Sequence, residues 1–240
     1  METANIHTST HEVFKRTFLK EVTIGAAFDE TSLYANKDSL QQFIELNFGV
    51  AEDIKESIST INVTSEDYVE KYKFSTNEAS VILDSSIYIN YEESLCSRLD
   101  KLIDFLKILS IQKINSLTIT KSNLFVANSN NAFNTWQKAL YESFKEEKIR
   151  EMALISPPNE DPVKLSREGL CEFDGGQIRI PFMIEVNDKN HFSFKMDLIG
   201  ELKNIMIDDI VTNAKKLNDI IYEIFIDTIS DNIIQLMREG

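Results

Sequence analysis

Residues 211–238 read VTNAKKLNDIIYEIFIDTISDNIIQLMR and carry the strongest periodic pattern in the chain. Apolar side chains recur there at steps of three or four residues: Leu217, Ile221, Phe225, Ile229, Ile233 and Leu236. The opposite side is polar: Asn213, Asp219, Glu223, Asp227 and Asp231. A pattern of this width predicts one long amphipathic helix that packs against a broad apolar surface.

The segment before this helix predicts such a surface. Residues 165–173 and 177–186 flank Asp174-Gly175-Gly176, the strongest hairpin signal in the chain. A further strand is expected at 191–199, where Phe192, Phe194, Met196 and Leu198 alternate with polar residues. Together these patterns predict an antiparallel sheet beneath the C-terminal helix.

The first part of the chain predicts a similar series of elements. Strands are expected at 14–28, 58–63, 68–75, 79–83, 87–91, 114–126 and 149–155. A capping box at Asp38 and Gln41 predicts a short helix with Leu40, Phe43 and Ile44 inward. Longer helices are expected at 93–109 and around Phe133, Trp136, Leu140 and Phe144.

The order of elements predicts an α+β fold with an internal duplication. Two tandem β-α-β(3-4)-α halves are expected, with antiparallel sheets each covered by a long helix, related by a pseudo-two-fold axis. Residues 19–24 and 114–119 occupy matching points, which gives a period of about 100 residues. Chance similarity within an α+β chain of this size is the alternative. The expected division is a disordered N-terminus at 1–12 and halves at 13–111 and 112–240, packed as one unit.

Charge and composition narrow the classes of function. The chain has 39 acidic and 25 basic residues, a formal net charge of −14. Such an excess repels phosphate backbones and disfavours direct nucleic-acid binding. Solubility alone explains the charge, and the functional alternatives are a basic protein partner or an acidic surface that imitates nucleic acid.

The remaining composition favours a cytoplasmic protein. Cys96 and Cys171 have neither metal-site spacing nor a disulfide framework. Polar residues follow Met1, and no apolar run approaches the ~20 residues that span a bilayer. A soluble protein without membrane contact is therefore expected.

The two ends of the chain resemble a sporadically distributed bacterial family of proteins of roughly 250 residues. The resemblance rests on Leu19-Lys20-Glu21-Val22 at the first strand and on residues 217–237 of the closing helix. Two departures stand out: Thr17-Phe18 replaces a proline-rich approach, and Asn218 replaces a frequent histidine. The family has no assigned activity, so the resemblance implies no catalytic role. Its patchy distribution suggests defence or toxin-control modules.

Histidines give little reason to expect a metal site. His7 and His11 have the i,i+4 spacing of two zinc ligands, but Thr8-Ser9-Thr10 disfavours a helix between them. No cysteine or third histidine lies nearby in the sequence. His191 begins a strand beside a turn and is expected to be solvated.

A metal-dependent nuclease is a remote alternative. Asp174 and Glu185 fall on adjacent predicted strands, but the position two residues after Glu185 holds Asn187 instead of the lysine that this chemistry needs. Asp174 is also the residue that a tight turn favours.

Other acidic and thiol groups have simpler explanations. Asp208 and Asp209 precede the last helix, where carboxylates favour the helix dipole. Asp227 and Asp231 have helical spacing, and Cys96 has no nearby histidine. Phosphate-binding and nucleophile motifs of the GxGxxG, GxxxxGK[ST] and GxSxG types are absent from the sequence. No catalytic residue and no cofactor is therefore predicted.

The sequence favours a non-catalytic protein that binds another macromolecule, a protein partner or a further copy of itself within a bacterial complex. The alternative is a sensor that holds a small apolar ligand between the sheet and the C-terminal helix. Five residues would line that space: Phe192, Phe194, Met196, Ile221 and Phe225. Ordinary core packing explains the same residues.

Overall fold

The computed structural model describes residues 11–12, 14, 17–50, 53–127, 153–154, 159–161, 164–186 and 192–239. Their ten strands form one antiparallel sheet, in the order β2-β3-β4-β1-β5-β10-β9-β8-β6 with β7 paired to β8. The strands are β1 Leu19–Ala27, β2 Thr60–Thr64, β3 Glu70–Ser75, β4 Glu78–Asp84, β5 Lys113–Ala127, β6 Ala153–Leu154, β7 Asn159–Asp161, β8 Lys164–Phe173, β9 Gly176–Val186 and β10 Phe192–Met206. The predicted mixture of helices with an antiparallel sheet is confirmed.

Four α-helices lie within the described residues: α1 Lys37–Phe48, α2 Cys96–Ile108, α3 Ile210–Thr228 and α4 Asp231–Glu239. A π-helical turn at Tyr91–Leu95 leads into α2, and short 3-10 turns precede α1 and α3. None of the described helices is long and apolar enough to cross a membrane.

The strands form a single sheet and not the two separate sheets that the sequence suggested. The junction is β1 with β5, which pair antiparallel from Leu19 opposite Asn123 to Ala27 opposite Ser116. Each of these strands has a second partner, since β1 also pairs with β4 and β5 with β10. Backbone hydrogen bonds therefore run continuously from β2 to β8.

The buried apolar residues at the centre of the sheet face one side of it, because directly opposite residues share a face. Ile24 lies opposite Val81 and Ile119, and Ile119 lies opposite Gly200. Helices cover this side: Phe43 of α1 and Phe105 of α2 contact Phe74, while Leu217 and Ile221 of α3 approach Gly200. We call this the helix-facing side, and the other side the open face.

Where α1 and α2 cover the sheet, aromatic side chains from these helices and from β3 form a cluster. It consists of Phe43, Phe48, Tyr72, Phe74 and Phe105. Ring centroids are 4.7 Å apart for Phe74 and Phe105, and 4.8 Å for Phe48 and Tyr72. Phe74 is fully buried. Offset and tilted ring pairs at such distances stabilise beyond the apolar area they bury.

The predicted C-terminal helix is wrong in one respect, because it is two helices. α3 ends at Thr228, and the next residue, Ile229, has an extended backbone at φ −80° and ψ 142°. The Ser230 carbonyl then accepts from the backbone N–H groups of Ile233 and Ile234 and begins α4. Asp231 lies in the first turn of α4, where a carboxylate is favoured. Asp227 and Asp231 therefore stand on different helices.

Two other expectations about local structure are wrong. Residues 87–91 are not a strand, because the Asp84 side chain accepts from the Ser86 N–H at 2.8 Å and turns the chain out of β4. Helix α1 begins at Lys37 without a side-chain cap, so Asp38 lies in its first turn and not at its cap.

The predicted hairpin and the buried face of the short helix are confirmed, and two further predicted elements lie wholly or partly outside the described residues. The hairpin around Asp174 is confirmed as β8 and β9, and Leu40, Phe43 and Ile44 are the buried residues of α1. The predicted helix of Phe133, Trp136, Leu140 and Phe144 lies outside the described residues. Of the strand expected at 149–155, only β6 is described.

Candidate functional site

The residues proposed to line an apolar cavity belong to the packed core where they are described. Met196 and Ile221 are fully buried, and Phe225 is half-buried. A Cβ atom added to Gly200 would lie 2.8 Å from side-chain atoms of both Leu217 and Ile221, so α3 sits directly on β10. The side chains of Phe192 and Phe194 lie outside the described residues.

A shallow groove runs along α3, but not between that helix and the sheet. It is lined by Thr212, Lys215, Lys216, Asp219, Ile220 and Glu223, whose carbon atoms supply most of its surface. Spacings of three and four residues place these side chains on one side of the helix. The groove therefore does not coincide with the predicted apolar space.

The hairpin register separates the two acids of the nuclease alternative. Asp174 is in the turn between β8 and β9, whereas Glu185 lies opposite Lys164 at the other end of the hairpin. Some ten residues of extended strand separate them by about 30 Å. Among the described residues no group of three or more His, Cys, Asp or Glu side chains is arranged to hold a metal ion. His7, Asn187 and His191 lie outside those residues.

Under α3 the helix-facing side of β5 changes from apolar to polar. Leu117 and Ile119 are buried on this side, and the next two positions that share it are Lys121 and Asn123. The Asn123 amide is buried and donates to the Met196 carbonyl at 3.2 Å. Lys121 is half-buried, and its Nζ lies 5.5 Å from the centre of the Tyr88 ring.

Helix α3 contributes a second buried amide to this region. Asn218 is fully buried, and its Oδ1 accepts from the Tyr88 hydroxyl at 3.5 Å. The Asn218 Nδ2 atom is buried and has no hydrogen-bond partner among the described residues. An unsatisfied buried amide costs free energy, on the order of 1–3 kcal/mol. Its presence in the middle of an apolar stripe therefore needs a reason other than packing.

The N-terminal segment covers the same region. His11 Nε2 lies 3.0 Å from Asp219 Oδ1, and the His11 ring stacks on Tyr222 at 4.1 Å. The Glu12 N–H donates to the Tyr222 hydroxyl at 2.9 Å, and the Glu12 carboxylate pairs with Arg238 of α4. These contacts tie the segment to both C-terminal helices. We refer to His11, Tyr88, Lys121, Asn218 and Asp219 as the Lys121 cluster.

Burial controls the protonation of this cluster. Burial lowers the pKa of Lys121 to about 8, although the nearby Asp219 carboxylate acts in the opposite direction. Burial and the Lys121 charge lower the pKa of His11, and Asp219 opposes them. Burial, reinforced by Glu92 and Asp219, raises the pKa of Tyr88. At neutral pH the folded protein therefore holds a protonated lysine and a neutral tyrosine under α3.

Neighbouring contacts join the two halves of the chain around the cluster. The Tyr91 hydroxyl donates to the Val211 carbonyl at 2.8 Å, and Glu92 forms an ion pair with Lys215. Tyr91 and Glu92 lead into α2, whereas Val211 and Lys215 belong to α3. The cluster thus lies where segments distant in sequence meet. A lysine and a neutral tyrosine can donate hydrogen bonds there, and the Tyr88 hydroxyl bonds to an amide oxygen, which does not activate it as a nucleophile.

The open face of the sheet carries a different set of side chains. Its side chains are mostly small or charged, with two isoleucines among them: Glu21, Thr23, Gly25, Lys71, Lys73, Ser80, Ile82, Asp84, Thr118, Thr120, Ser122, Asp197, Ile199 and Glu201. Each lies between residues that face the helices. Helices α1, α2 and α3 therefore leave this face free.

Three carboxylates stand in line across the middle of the open face. Asp84 lies opposite Glu21, Glu21 opposite Ser122, and Ser122 opposite Asp197, so four adjacent strands contribute to one row. At the usual strand spacing this row is about 14 Å long. Asp197 Oδ2 pairs with Lys195 Nζ at 3.3 Å, but Asp197 Oδ1 is buried and has no hydrogen-bond partner among the described residues. We call Glu21, Asp84 and Asp197 the acidic row.

No known protein-family model matches this chain, and no functionally curated protein matches it in sequence.

The sequence contains signals for the Lys121 cluster that the predictions above did not use. Lys121 and Asn123 share the period-two alternation of Leu117 and Ile119, which places them on the buried side of β5. Asn218 directly follows Leu217 within the apolar stripe. The acidic row could not be found in this way, because it depends on the register of four strands.

Proposed function

We propose that this is a non-catalytic protein that binds a basic segment of another protein on the open face of its sheet. The proposal rests on the acidic row. Three carboxylates in register on a face without α1, α2 or α3 form a surface complementary to lysine and arginine side chains. The formal charge of −14 would also speed encounter with a basic partner.

One carboxylate oxygen of Asp197 lacks a hydrogen-bond donor within the described part of the chain. Its Oδ1 atom is buried without a hydrogen bond, which is unfavourable in the isolated chain. A guanidinium or ammonium group placed over the row would pair with the exposed Glu21 and Asp84 carboxylates, and it would reach this oxygen only after the side chains around it shift.

The test is capture of partners from native host extract with the full chain and with a matched pair of variants. Glu21→Gln combined with Asp84→Asn neutralises two exposed members of the row. Asp100→Asn combined with Asp104→Asn removes the same charge from the exposed side of α2. We expect the first variant to lose a basic partner that the wild type and the second variant retain, and capture by the wild type to weaken as salt screens the charges.

Equal retention by both variants would overturn the proposal. Circular dichroism and thermal unfolding of the two variants check that any loss is not a folding defect. A partner captured by the wild type but insensitive to salt would remove the electrostatic basis of the proposal.

We also propose that the fold arose by internal duplication. From β1 outward the sheet runs β4, β3, β2, and from β5 outward it runs β10, β9, β8. The same succession on both sides supports two related halves at 13–111 and 112–240, joined about the β1–β5 pair. An experimental structure whose halves do not superpose by a rotation near 180° would reject this.

The biological setting remains part of the proposal. Resemblance of the chain ends to a sporadically distributed bacterial family supports a role in a cytoplasmic complex, in defence or in toxin control. Identification of the captured partner tests this setting independently of the site.

A further inference from the structure

Strand β2 forms one edge of the sheet and carries a row of outward backbone groups. Among the described residues its only partner is β3. Thr60, Asn62 and Thr64 have exposed side chains, whereas Ile61 and Val63 are buried on the helix-facing side. An unpaired strand edge is a template for another strand.

The register fixes which backbone groups of β2 are free. Hydrogen bonds from Thr76 N–H to the Ser59 carbonyl and from Ser65 N–H to the Glu70 carbonyl show that positions 59 and 65 bond towards β3. The hydrogen-bonded positions of an antiparallel pair recur every two residues, so Ile61 and Val63 also bond towards β3. The N–H and C=O groups of Thr60, Asn62 and Thr64 therefore point outward.

The edge lacks the features that usually prevent strand addition. Residues 57–64 read SISTINVT and contain no charge, proline or glycine, in a chain where 27% of residues are charged. Natural edges are protected by inward or edge lysines, prolines and bulges. Because the chain carries a charge of −14, two copies repel each other least along an uncharged strip of this kind.

The residues of β2 are self-complementary. Reading TINVT in either direction gives threonine, a β-branched aliphatic residue, asparagine, a β-branched aliphatic residue and threonine. In an antiparallel pair of two such strands centred on Asn62, threonine meets threonine, isoleucine meets valine, and asparagine meets asparagine. Cross-strand pairs of these types are favourable.

We propose that the protein forms a two-fold dimer by antiparallel pairing of β2 with β2 of a second copy, with the axis at Asn62. The outward groups of Thr60, Asn62 and Thr64 fall in register with those of the second copy and supply about six hydrogen bonds. Ile61 and Val63 continue the helix-facing side across the junction. This pairing is isologous, so it closes at two copies.

The neighbouring helix α1 covers the strand next to this edge and has exposed apolar side chains near its C-terminal end. α1 packs on Phe74 and Tyr72, which lie opposite Ile61 and Val63 in β3. Near the end of α1, Leu46 is 76% exposed and Val50 is 39% exposed. The contact remains smaller than the ~1,200 Å² of a standard interface, so a dissociation constant on the order of micromolar is expected.

Cysteine cross-linking tests the register. In the dimer the two Asn62 Cα atoms are about 5.5 Å apart, within reach of a disulfide. Mild oxidation should therefore convert Asn62→Cys to a covalent dimer, and Thr60→Cys should remain uncross-linked. A mixture of Thr60→Cys and Thr64→Cys should cross-link, because these positions face each other. Wild-type protein controls for Cys96 and Cys171.

Sedimentation of the full chain tests the dimer without a cysteine. Up to about 100 µM, the wild-type mass should rise towards twice the 27.5 kDa of one chain. Asn62→Lys places two like charges opposite each other at the axis and should remain monomeric. Thr212→Lys adds the same charge on an exposed position of α3 and should dimerise like the wild type. A monomeric wild type, a dimer insensitive to Asn62→Lys, or cross-linking of Thr60→Cys alone would overturn the proposal.

Discussion

The helix-facing side of the sheet is built differently under α1 and α2 than under α3. Under α1 and α2 it is the aromatic cluster, in which Phe74 contacts Phe43 and Phe105 and is fully buried. Under α3 the same side carries Lys121 and Asn123 from β5 and meets Asn218. One surface of one sheet thus passes from close apolar packing to a polar cluster.

The aromatic cluster only stabilises the folded state, whereas the Lys121 cluster also contains buried polar groups that destabilise it. Apolar burial and ring packing favour the folded state. A half-buried lysine and an unpaired buried amide oppose folding unless their surroundings compensate. Substitutions in the two regions should therefore change stability in opposite directions, although both regions belong to one sheet.

The largest effect is expected at Phe74. Phe74→Ala removes a fully buried ring from the aromatic cluster and should lower the free energy of unfolding by about 3–5 kcal/mol. Leu46→Ala, on the 76% exposed side chain of α1, is the control and should change it by less than about 0.5 kcal/mol. Denaturant unfolding measures both. Equal effects would mean that the cluster is not core.

A smaller effect of opposite sign is expected at Lys121. Burial lowers the pKa of Lys121 to about 8, so the charged form is disfavoured in the folded state at pH 7. Lys121→Met removes this penalty and should raise the free energy of unfolding by about 1–2 kcal/mol at pH 7. A loss of stability would show that the lysine makes a net favourable interaction.

The difference in free energy of unfolding between the wild type and Lys121→Met should also depend on pH. Between pH 8 and about 10.4 the folded wild type loses the Lys121 proton while the unfolded chain keeps it, so wild-type stability should rise with pH. Lys121→Met lacks this rise, and its advantage should shrink from pH 7 to pH 10. An advantage that stays constant over this range would contradict the lowered pKa.

The smallest effect is expected at His11. Its pKa is lowered by burial and Lys121, although Asp219 opposes, so protonation favours the unfolded chain. Wild-type stability should therefore fall by less than about 1 kcal/mol from pH 7.5 to pH 5.5, relative to His11→Phe. Phenylalanine retains an aromatic ring for stacking on Tyr222 without a titrating group. A relative gain at pH 5.5 would mean that the attraction of Asp219 dominates, with Glu92 and Lys215 as the other charges nearby.

Much of the fold could be predicted from local patterns. Alternation located β3 and the β8–β9 hairpin, and helical periodicity located α2, because these patterns reflect a single buried face. The break between α3 and α4 was missed, since Ile229 continues the apolar stripe while its backbone is extended. The single sheet was also missed, because pairing of β1 with β5 is a contact between distant segments.

The candidate sites were harder to predict for the same reason. The Lys121 cluster combines residues from the N-terminus, β5 and α3, and the acidic row combines β4, β1 and β10. No spacing in the sequence brings Glu21 and Asp84 together, because their proximity follows from strand register. By contrast, Met196 and Ile221 were recognisable from periodicity, and the structure places them in the core.

Carboxyl footprinting of the free chain and of its complex with a captured partner tests the proposed function most directly. Glu21 and Asp84 are exposed, as are Asp100 and Asp104 on α2. Partner binding on the open face should protect Glu21 and Asp84 from labelling and leave Asp100 and Asp104 unchanged. Protection of the α2 residues, with Glu21 and Asp84 labelled as in the free chain, would contradict it.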